Sequence, residues 1–365
     1  VLAVLVGGSP GCANATALRA GTLPANVQVD EFFFLAGRWL TDPIAQRNYI
    51  SANYTQACEY LLSRGVNVIA QLVAARDVAG NRRFSLSCNT DLTLDLLDAR
   101  RAGQVKFVLA GQVNTQLPFM PGECDLLEAE FSYVLDGPAF PLFAPPKAPI
   151  GLTEYAIGFH IARLIDDGGT LQIGIGEEGD AAVRARILRQ HDNAAFRDAV
   201  SRLTAGAPPL AVEERTPFAS GLYGVSEMFV DGFLELLAAG ILKREVDGVL
   251  LHAGFFVGPQ SFYRRLRELD TATLRKIQMS RISFTNQLYG GEKVRTAARV
   301  NARFVNNAMI ATALGAIVSD GLEDGRVVSG VGGQFNFVEH ALPTPGPRTD
   351  PAENPTQGRP RKTTP

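Results

Sequence analysis

The sequence predicts an α/β fold in two domains, and three observations predict it. Apolar periodicity switches repeatedly between short β-branched runs and longer amphipathic stretches, the alternation of strands and helices from which layered α/β domains are built. The 365 residues amount to about two domains at ~150 residues each. The segment Gly137–Pro149 carries five prolines, can continue neither a helix nor a central strand, and reads as an extended linker. The expected organisation is therefore a domain over 1–147, a second over 148–340, and a Pro-rich disordered tail over 341–365.

Taken in order, Val1–Val6 lacks the basic flank of a signal peptide and reads as a strand. The starting Val in place of Met suggests a fragment. Pro43–Arg64 has helical spacing through Ile44, Tyr49, Ala57, Leu61 and Leu62 and stops at Gly65, a residue suited to closing a helix. Strand Val66–Val73 follows, then helix Leu92–Ala102 and strand Lys106–Val113, as alternations feeding one sheet. Past the linker, Thr153 caps a helix to Asp167, and Gly168-Gly169 lead into strand Thr170–Ile173. A helix over Asp180–Arg189, another over Met228–Ala239, and strands at Gly248–Leu251, Ala316–Val318 and Arg326–Val328 complete the second domain. After His340 the composition collapses to Pro, Thr, Arg and Gly, which cannot bury a core.

Composition narrows the function. Hydrophobic residues make up 46% and charged residues 20% of the chain, enough apolar content for a full core. The 35 basic and 37 acidic residues leave a formal charge of −2, so no strong field favours nucleic acid or an anionic membrane as a partner. Cys12, Cys58, Cys88 and Cys124 show no C-x-x-C spacing and are not paired with His160, His191, His252 or His340, so no metal site is expected and reduced thiols in a cytoplasmic protein are. The longest apolar run, Ala308–Val318, is far short of the ~20 residues that span a bilayer.

Three glycine-bearing segments carry chemistry. Gly221-Leu-Tyr-Gly-Val-Ser-Glu-Met-Phe-Val-Asp-Gly232 sets Glu227 just ahead of the helix expected from Met228. A carboxylate so placed is either a nucleophile or an acidic residue complementing a helix dipole. Ser329-Gly-Val-Gly-Gly-Gln-Phe-Asn-Phe337 offers backbone N–H groups to a developing oxyanion, or simply a tight turn or bulge. Residues alone leave both pairs of readings open. Gly174-Ile-Gly-Glu-Glu-Gly179 is a literal G-x-G-x-x-G after a strand, the pattern of a dinucleotide site. Against that, Glu177 and Glu178 would place two carboxylates where phosphates belong, and like charges near 4 Å repel by about 4 kcal/mol at an effective dielectric of 20.

The combination of Gly-Val-Ser-Glu-Met around Glu227, Ser-Gly-Val-Gly-Gly-Gln ending at Gln334, and Gln172-Ile-Gly-Ile-Gly176 resembles the acetyl-CoA hydrolase/transferase family, which groups with class I CoA-transferases of the acetate and 4-hydroxybutyrate type. Gln46-Arg-Asn-Tyr-Ile-Ser-Ala-Asn-Tyr54, Gly111-Gln-Val-Asn114, Ile282-Ser-Phe-Thr-Asn-Gln287 and Ser319-Asp-Gly-Leu-Glu-Asp-Gly325 are similar to it as well, so the likeness extends from about Leu18 to His340.

The resemblance implies two CoA-transferase-type α/β domains with the active site at their junction. Glu227 matches the family's nucleophile, which forms an acyl-glutamyl anhydride and then a glutamyl-CoA thioester. Gly332, Gly333 and the Asn286 side chain match its oxyanion-stabilising groups. CoA contacts are implied at Gly174, Ile175, Gly176, Gly330 and Gln334. The implied partners are a short acyl-CoA and a small carboxylic acid, with CoA as substrate, no permanently bound cofactor, and a homodimer as the assembly. Acetyl-CoA hydrolysis, with water as acceptor, is the alternative within the same chemistry. A non-catalytic CoA-binding protein and an NAD-dependent oxidoreductase are the alternatives outside it. Gly-Glu-Glu-Gly179 departs from the family's Gly-Gly followed by an apolar residue and Pro, which implies distinct CoA contacts. The Pro-rich sequence after Phe337 implies a truncated second domain.

Overall fold

The computed structural model describes residues 2–4, 17, 20–137, 140–144, 147–208, 210 and 212–344. A short parallel pair, β1 (Leu2–Val4) and β2 (Gln28–Asp30), precedes two five-stranded sheets, one built before and one after the proline-rich segment. The first contains β3 (Val68–Val78), β4 (Asn81–Ser85), β5 (Val108–Val113), β6 (Asp125–Leu127) and β7 (Tyr133–Asp136) in the order β6-β4-β3-β5-β7. The second contains β8 (Thr170–Ile173), β9 (Tyr223–Met228), β10 (Leu251–Phe255), β11 (Ile277–Met279) and β12 (Ala302–Val305), all parallel, in the order β11-β10-β9-β8-β12. The molecule is α/β, as the periodicity predicts.

The elements depart from expectation where tertiary hydrogen bonds outweigh local pattern. The helix predicted over Pro43–Arg64 is broken into Pro43–Arg47, a 3₁₀ turn Tyr54–Gln56 and a helix Ala57–Ser63. Between them the chain is claimed by strand-like contacts: Ile50 N–H donates to the Glu31 carbonyl at 2.8 Å, and Gln46 exchanges two side-chain hydrogen bonds with the Val327 backbone at 2.8 and 2.9 Å. β3 runs five residues past its expected end and reverses through Ala79 and Gly80, both at positive φ, into antiparallel β4. That is the two-residue hairpin geometry whose twist matches the strands.

In the second sheet, residues 223–228 form β9 and the following helix is only Gly232–Ala238, so Glu227 lies near the end of a strand and not before a helix start. Five of the six β9 residues are buried, as a central parallel strand covered on both faces requires. Gly248 sits in a turn at φ 78°, with Asp247 at φ 51°, and the strand predicted there begins at Leu251. The run Ala308–Val318 is a hairpin of β13 (Ile310–Ala311) and β14 (Ile317–Val318), and Val327 makes a single bridge to Gly321 where a strand was expected. The helix expected over Thr153–Asp167 is Leu152–Ala162. Gln334–Ala341 is a helix that the glycine-rich reading of its start did not foresee. The tail from 345 onward lies outside the described residues.

A continuous buried apolar cluster links the halves, running from Phe84, Leu97 and Leu109 to Phe229, Phe233 and Leu251. Its junction is pinned by polar contacts: the Thr90 hydroxyl donates to the Gly254 carbonyl at 2.5 Å, and Ile282 N–H to the Asp91 carbonyl at 2.9 Å.

Gly330 shows how closely the segment 327–333 packs on the first half. A Cβ there would meet Phe33 Cα at 2.8 Å and the Phe32 carbonyl at 3.0 Å, backbone atoms that cannot rotate aside. Gly330→Ala is expected to lower stability by about 1–3 kcal/mol in denaturant unfolding, at unchanged m-value. A neutral substitution would mean that this segment is loosely held.

Candidate active site

Glu227 is the fifth residue of β9, at the carboxyl end of a parallel sheet, where open α/β sheets present their ligand crevices. The neighbouring strand approaches closely: a Cβ on Gly254 would sit 3.0 Å from the Glu227 carbonyl oxygen and 2.6 Å from Ile282. That glycine lets helix Ile282–Thr285 settle over the strand ends and bring Asn286, the residue that ends it, to the carboxyl. Asn286 is fully buried, and its Nδ2 donates to Glu227 Oε2 at 2.5 Å. From the opposite direction comes the loop before helix Gln334–Ala341. Gly332, at φ 60°, has its Cβ position 3.7 Å from Glu227 Oε1, and a Cβ on Gly333 would overlap both Glu227 Oε2 and Asn286 Nδ2. Only glycine fits at 333 while the carboxyl and amide keep these positions.

The first half completes the wall. Tyr54 N–H donates to the Gly332 carbonyl at 3.0 Å, Val331 N–H donates to the Tyr49 hydroxyl at 3.2 Å, and the Asn336 amide donates to the Thr55 hydroxyl at 3.2 Å. The two segments 46–54 and 329–337, far apart in the chain and both carriers of the resemblance, are thus packed on each other. The Tyr54 hydroxyl donates in a very short contact to Asp91 Oδ2. Burial drives the Tyr54 hydroxyl well above its ordinary value, with Asp91 and Glu227 adding to the rise.

Electrostatics set Glu227 apart. Loss of solvation pushes its carboxyl up to about 7; the Asn286 hydrogen bond opposes this and the nearby Asp91 reinforces it. Burial also raises Asp91, against the hydrogen bond from Tyr54. Two carboxyls that disfavour each other's charge, faced by an amide donor and glycine backbone, make a site poised to ionise near neutrality.

A stability consequence follows with a definite sign. The neutral Glu227 carboxyl is favoured in the fold, so its contribution is fully present below the ordinary value of 4.5 and is lost as pH rises through about 7. Glu227→Gln is therefore expected to raise the unfolding free energy at pH 8 by about 2 kcal/mol and to change it little at pH 5. Equal effects at both pH values would contradict the raised ionisation.

The structure brings Glu227, Asn286, Gly332 and Gly333 together. Gln334 lies beside them, its Nε2 donating to the Asn307 carbonyl at 3.0 Å and its Oε1 paired with the Ser319 hydroxyl. The Gly174-Ile175-Gly176 turn joins this group indirectly, since Asn307 Nδ2 donates to Glu178 at 2.9 Å. Ile175 is exposed there and Gly176 stands at φ 122°. The helix after it starts at Glu177, so Glu177, Glu178 and Asp180 fill its first turn, where a dinucleotide would need its phosphates. Gly330 faces Phe32 and Phe33 and serves packing. Sequence reasoning did not single out Tyr54, Asp91 or Thr285. Tyr54 stood inside a quoted segment, whereas Asp91 carried no local signal. Among the described residues no cluster of His, Cys, Asp and Glu could hold a metal, and no helix is long and apolar enough to cross a membrane.

Comparison with known proteins fits this arrangement. Residues 258–349 match the family described as acetyl-CoA hydrolase/transferase C-terminal domain. The chain is 25% identical over 250 residues to a 4-hydroxybutyrate coenzyme A transferase of Clostridium kluyveri, covering 66% of this chain and 47% of the relative. It is 24% identical over 278 residues to a succinyl-CoA:cyclohexane-1-carboxylate CoA transferase of Geobacter metallireducens, covering 75% and 52%. It thus spans about half the length of these curated relatives. In fold it is similar to RipA from Yersinia pestis, with a TM-score of 0.66 at 19% identity over 93% of this chain and 68% of that one. It is also similar to a 4-hydroxybutyrate CoA-transferase from Porphyromonas gingivalis, with a TM-score of 0.56 at 18% identity over 94% and 74%. Residues 258–349 thus carry the acetyl-CoA hydrolase/transferase C-terminal domain, and the chain is similar to CoA transferases over most of its length.

Proposed function

We propose that the protein transfers CoA from a short acyl-CoA to a carboxylate through a covalent intermediate on Glu227. The observation that carries this reading is the convergence of the Asn286 amide and the Gly333 backbone on one carboxyl that ionises near neutrality. A Glu227 oxygen attacks the thioester carbonyl, the carbonyl oxygen becomes an oxyanion, and expulsion of CoA thiolate leaves an acyl-glutamyl anhydride. The thiolate then attacks the glutamyl carbonyl, releasing the acyl group as a carboxylate and leaving a glutamyl-CoA thioester. An acceptor carboxylate reverses the sequence. The Asn286 amide and the backbone N–H groups of Gly332 and Gly333 stabilise each oxyanion, and donors held in place before reaction make this stabilisation large. Gly174, Ile175, Gly176 and Gln334 contribute to CoA binding in this reading, and Gly330 does so only by seating this segment on Phe32 and Phe33; the family likeness adds a homodimer, and the unpaired cysteines a cytoplasmic location.

Water as acceptor is the second reading: Asp91, whose Oδ2 is held by the Tyr54 hydroxyl, bears on Glu227 electrostatically, and a water entering beside this pair would hydrolyse the same intermediate. Chromatography of a reaction containing acetyl-CoA, with and without a second carboxylic acid, tests both. Transfer predicts a new acyl-CoA only when the acid is present. Steady release of free CoA without the acid would identify hydrolysis, and binding of CoA with neither product would overturn the proposal.

A further inference from the structure

The Asn286 amide can meet Glu227 with either its N–H or its carbonyl end, and only the N–H end favours a carboxylate or an oxyanion. The neighbouring residue decides between them. Thr285 is fully buried, and its hydroxyl donates to Asn286 Oδ1 at 2.9 Å. The hydroxyl has one proton and a second acceptor within range, the Arg281 carbonyl at 3.5 Å, so the shorter contact takes it. With Oδ1 engaged behind it, the amide is left pointing Nδ2 at Glu227 Oε2. If the amide reversed, the carboxylate would face a carbonyl oxygen, and the Thr285 proton would return to the Arg281 carbonyl in the back-bonding that threonine often adopts in helices.

We propose that Thr285 is a positioning residue, whose hydroxyl holds the Asn286 amide in the orientation that donates to the Glu227 carboxylate and to the oxyanion formed beside it. This rests on the CoA-transfer reading for its catalytic consequence, though not for its effect on Glu227 itself. The titratable groups facing Glu227 are Asp91 and Tyr54, both on the first half of the chain, whereas the Thr285 hydroxyl is bonded to Asn286.

The test is Thr285→Val, which keeps the shape and removes the hydroxyl, with Thr285→Ser as the conservative variant. Two readouts are followed: kcat and KM for CoA transfer, and an infrared pH titration of the protonated Glu227 carbonyl band, assigned by its loss in Glu227→Gln and so told apart from Asp91. The valine variant is expected to lower kcat about tenfold with little change in KM, and to move the titration midpoint up by roughly half a unit to one unit, as loss of a hydrogen bond to the charged form requires. Serine should restore both. Thr285→Ala gives the same readouts should valine not fold. Wild-type kcat and midpoint without the hydroxyl, or a serine variant as impaired as valine, would overturn the proposal. If the protein transfers no CoA, the functional reading fails while the infrared titration still decides the role of Thr285.

Discussion

Glu227→Gln is expected to abolish CoA transfer while leaving a folded chain. An amide cannot form the anhydride, and Asp91, the carboxyl that acts on Glu227 electrostatically, is itself engaged by the Tyr54 hydroxyl. Removal of a covalent nucleophile lowers turnover on the order of a thousandfold or more. The fold should survive, since the neutral side chain matches the protonated state that burial already favours. In the wild type, kcat/KM should rise as pH passes through about 7, because the ionised carboxyl is the reactive form. Stopped-time assays of acyl-CoA exchange across pH 5 to 9 check both. A glutamine variant retaining a tenth of wild-type turnover, or a wild-type profile flat through pH 7, would count against the assignment.

The second large effect is expected at Gly333. A Cβ at this position overlaps the Glu227 carboxyl and the Asn286 amide, which are the ends of movable side chains and not backbone. In Gly333→Ala these two groups should swing away, so the catalytic contact breaks while the fold adjusts. Turnover is expected to fall by roughly 10²- to 10³-fold, the loss typical for an oxyanion donor, with a stability change below about 1 kcal/mol. Gly330→Ala should show the reverse pattern, because its Cβ strikes the backbone of residues 32 and 33. Comparing unfolding curves and kcat for the two variants separates a glycine needed for chemistry from one needed for packing.

Much of the fold was legible because local pattern and tertiary structure agreed. Strand Thr170–Ile173 lies where β-branched residues after Gly168-Gly169 place it, and the helix Thr93–Arg101 matches its apolar spacing to within a residue at each end. The failures have physical causes. Tyr223–Met228 is buried on both faces and shows no alternation, so nothing in its pattern marks a strand, and the helix expected from Met228 begins only at Gly232. The residues after Arg47 have helical spacing, yet Gln46 and Ile50 bond to Val327 and Glu31, partners that no local pattern announces.

The site divides in the same way. Glu227 and Gly333 stood in glycine-bearing motifs and Asn286 entered only through the family resemblance, and the structure brings the three together. Thr285 and Asp91 act through contacts made only when helix Ile282–Thr285 docks on the segment around Asp91, where Ile282 N–H meets the Asp91 carbonyl. The Gly-x-Gly-x-x-Gly pattern at 174–179 shows the converse. Its last glycine is explained by packing alone, since a Cβ on Gly179 would meet the Gly174 carbonyl at 2.7 Å.

The most direct measurement is to trap the intermediate. The protein is incubated with acyl-CoA in the absence of an acceptor, treated with borohydride, which reduces a thioester and spares a carboxylate, then digested and examined by mass spectrometry. The account predicts irreversible inactivation only when acyl-CoA is present, with the reduced residue at Glu227 in the peptide containing Ser226 and Met228. A protein that turns over acyl-CoA yet is not inactivated, or is modified elsewhere, would contradict covalent catalysis by Glu227 and leave it a general base for direct attack on the thioester.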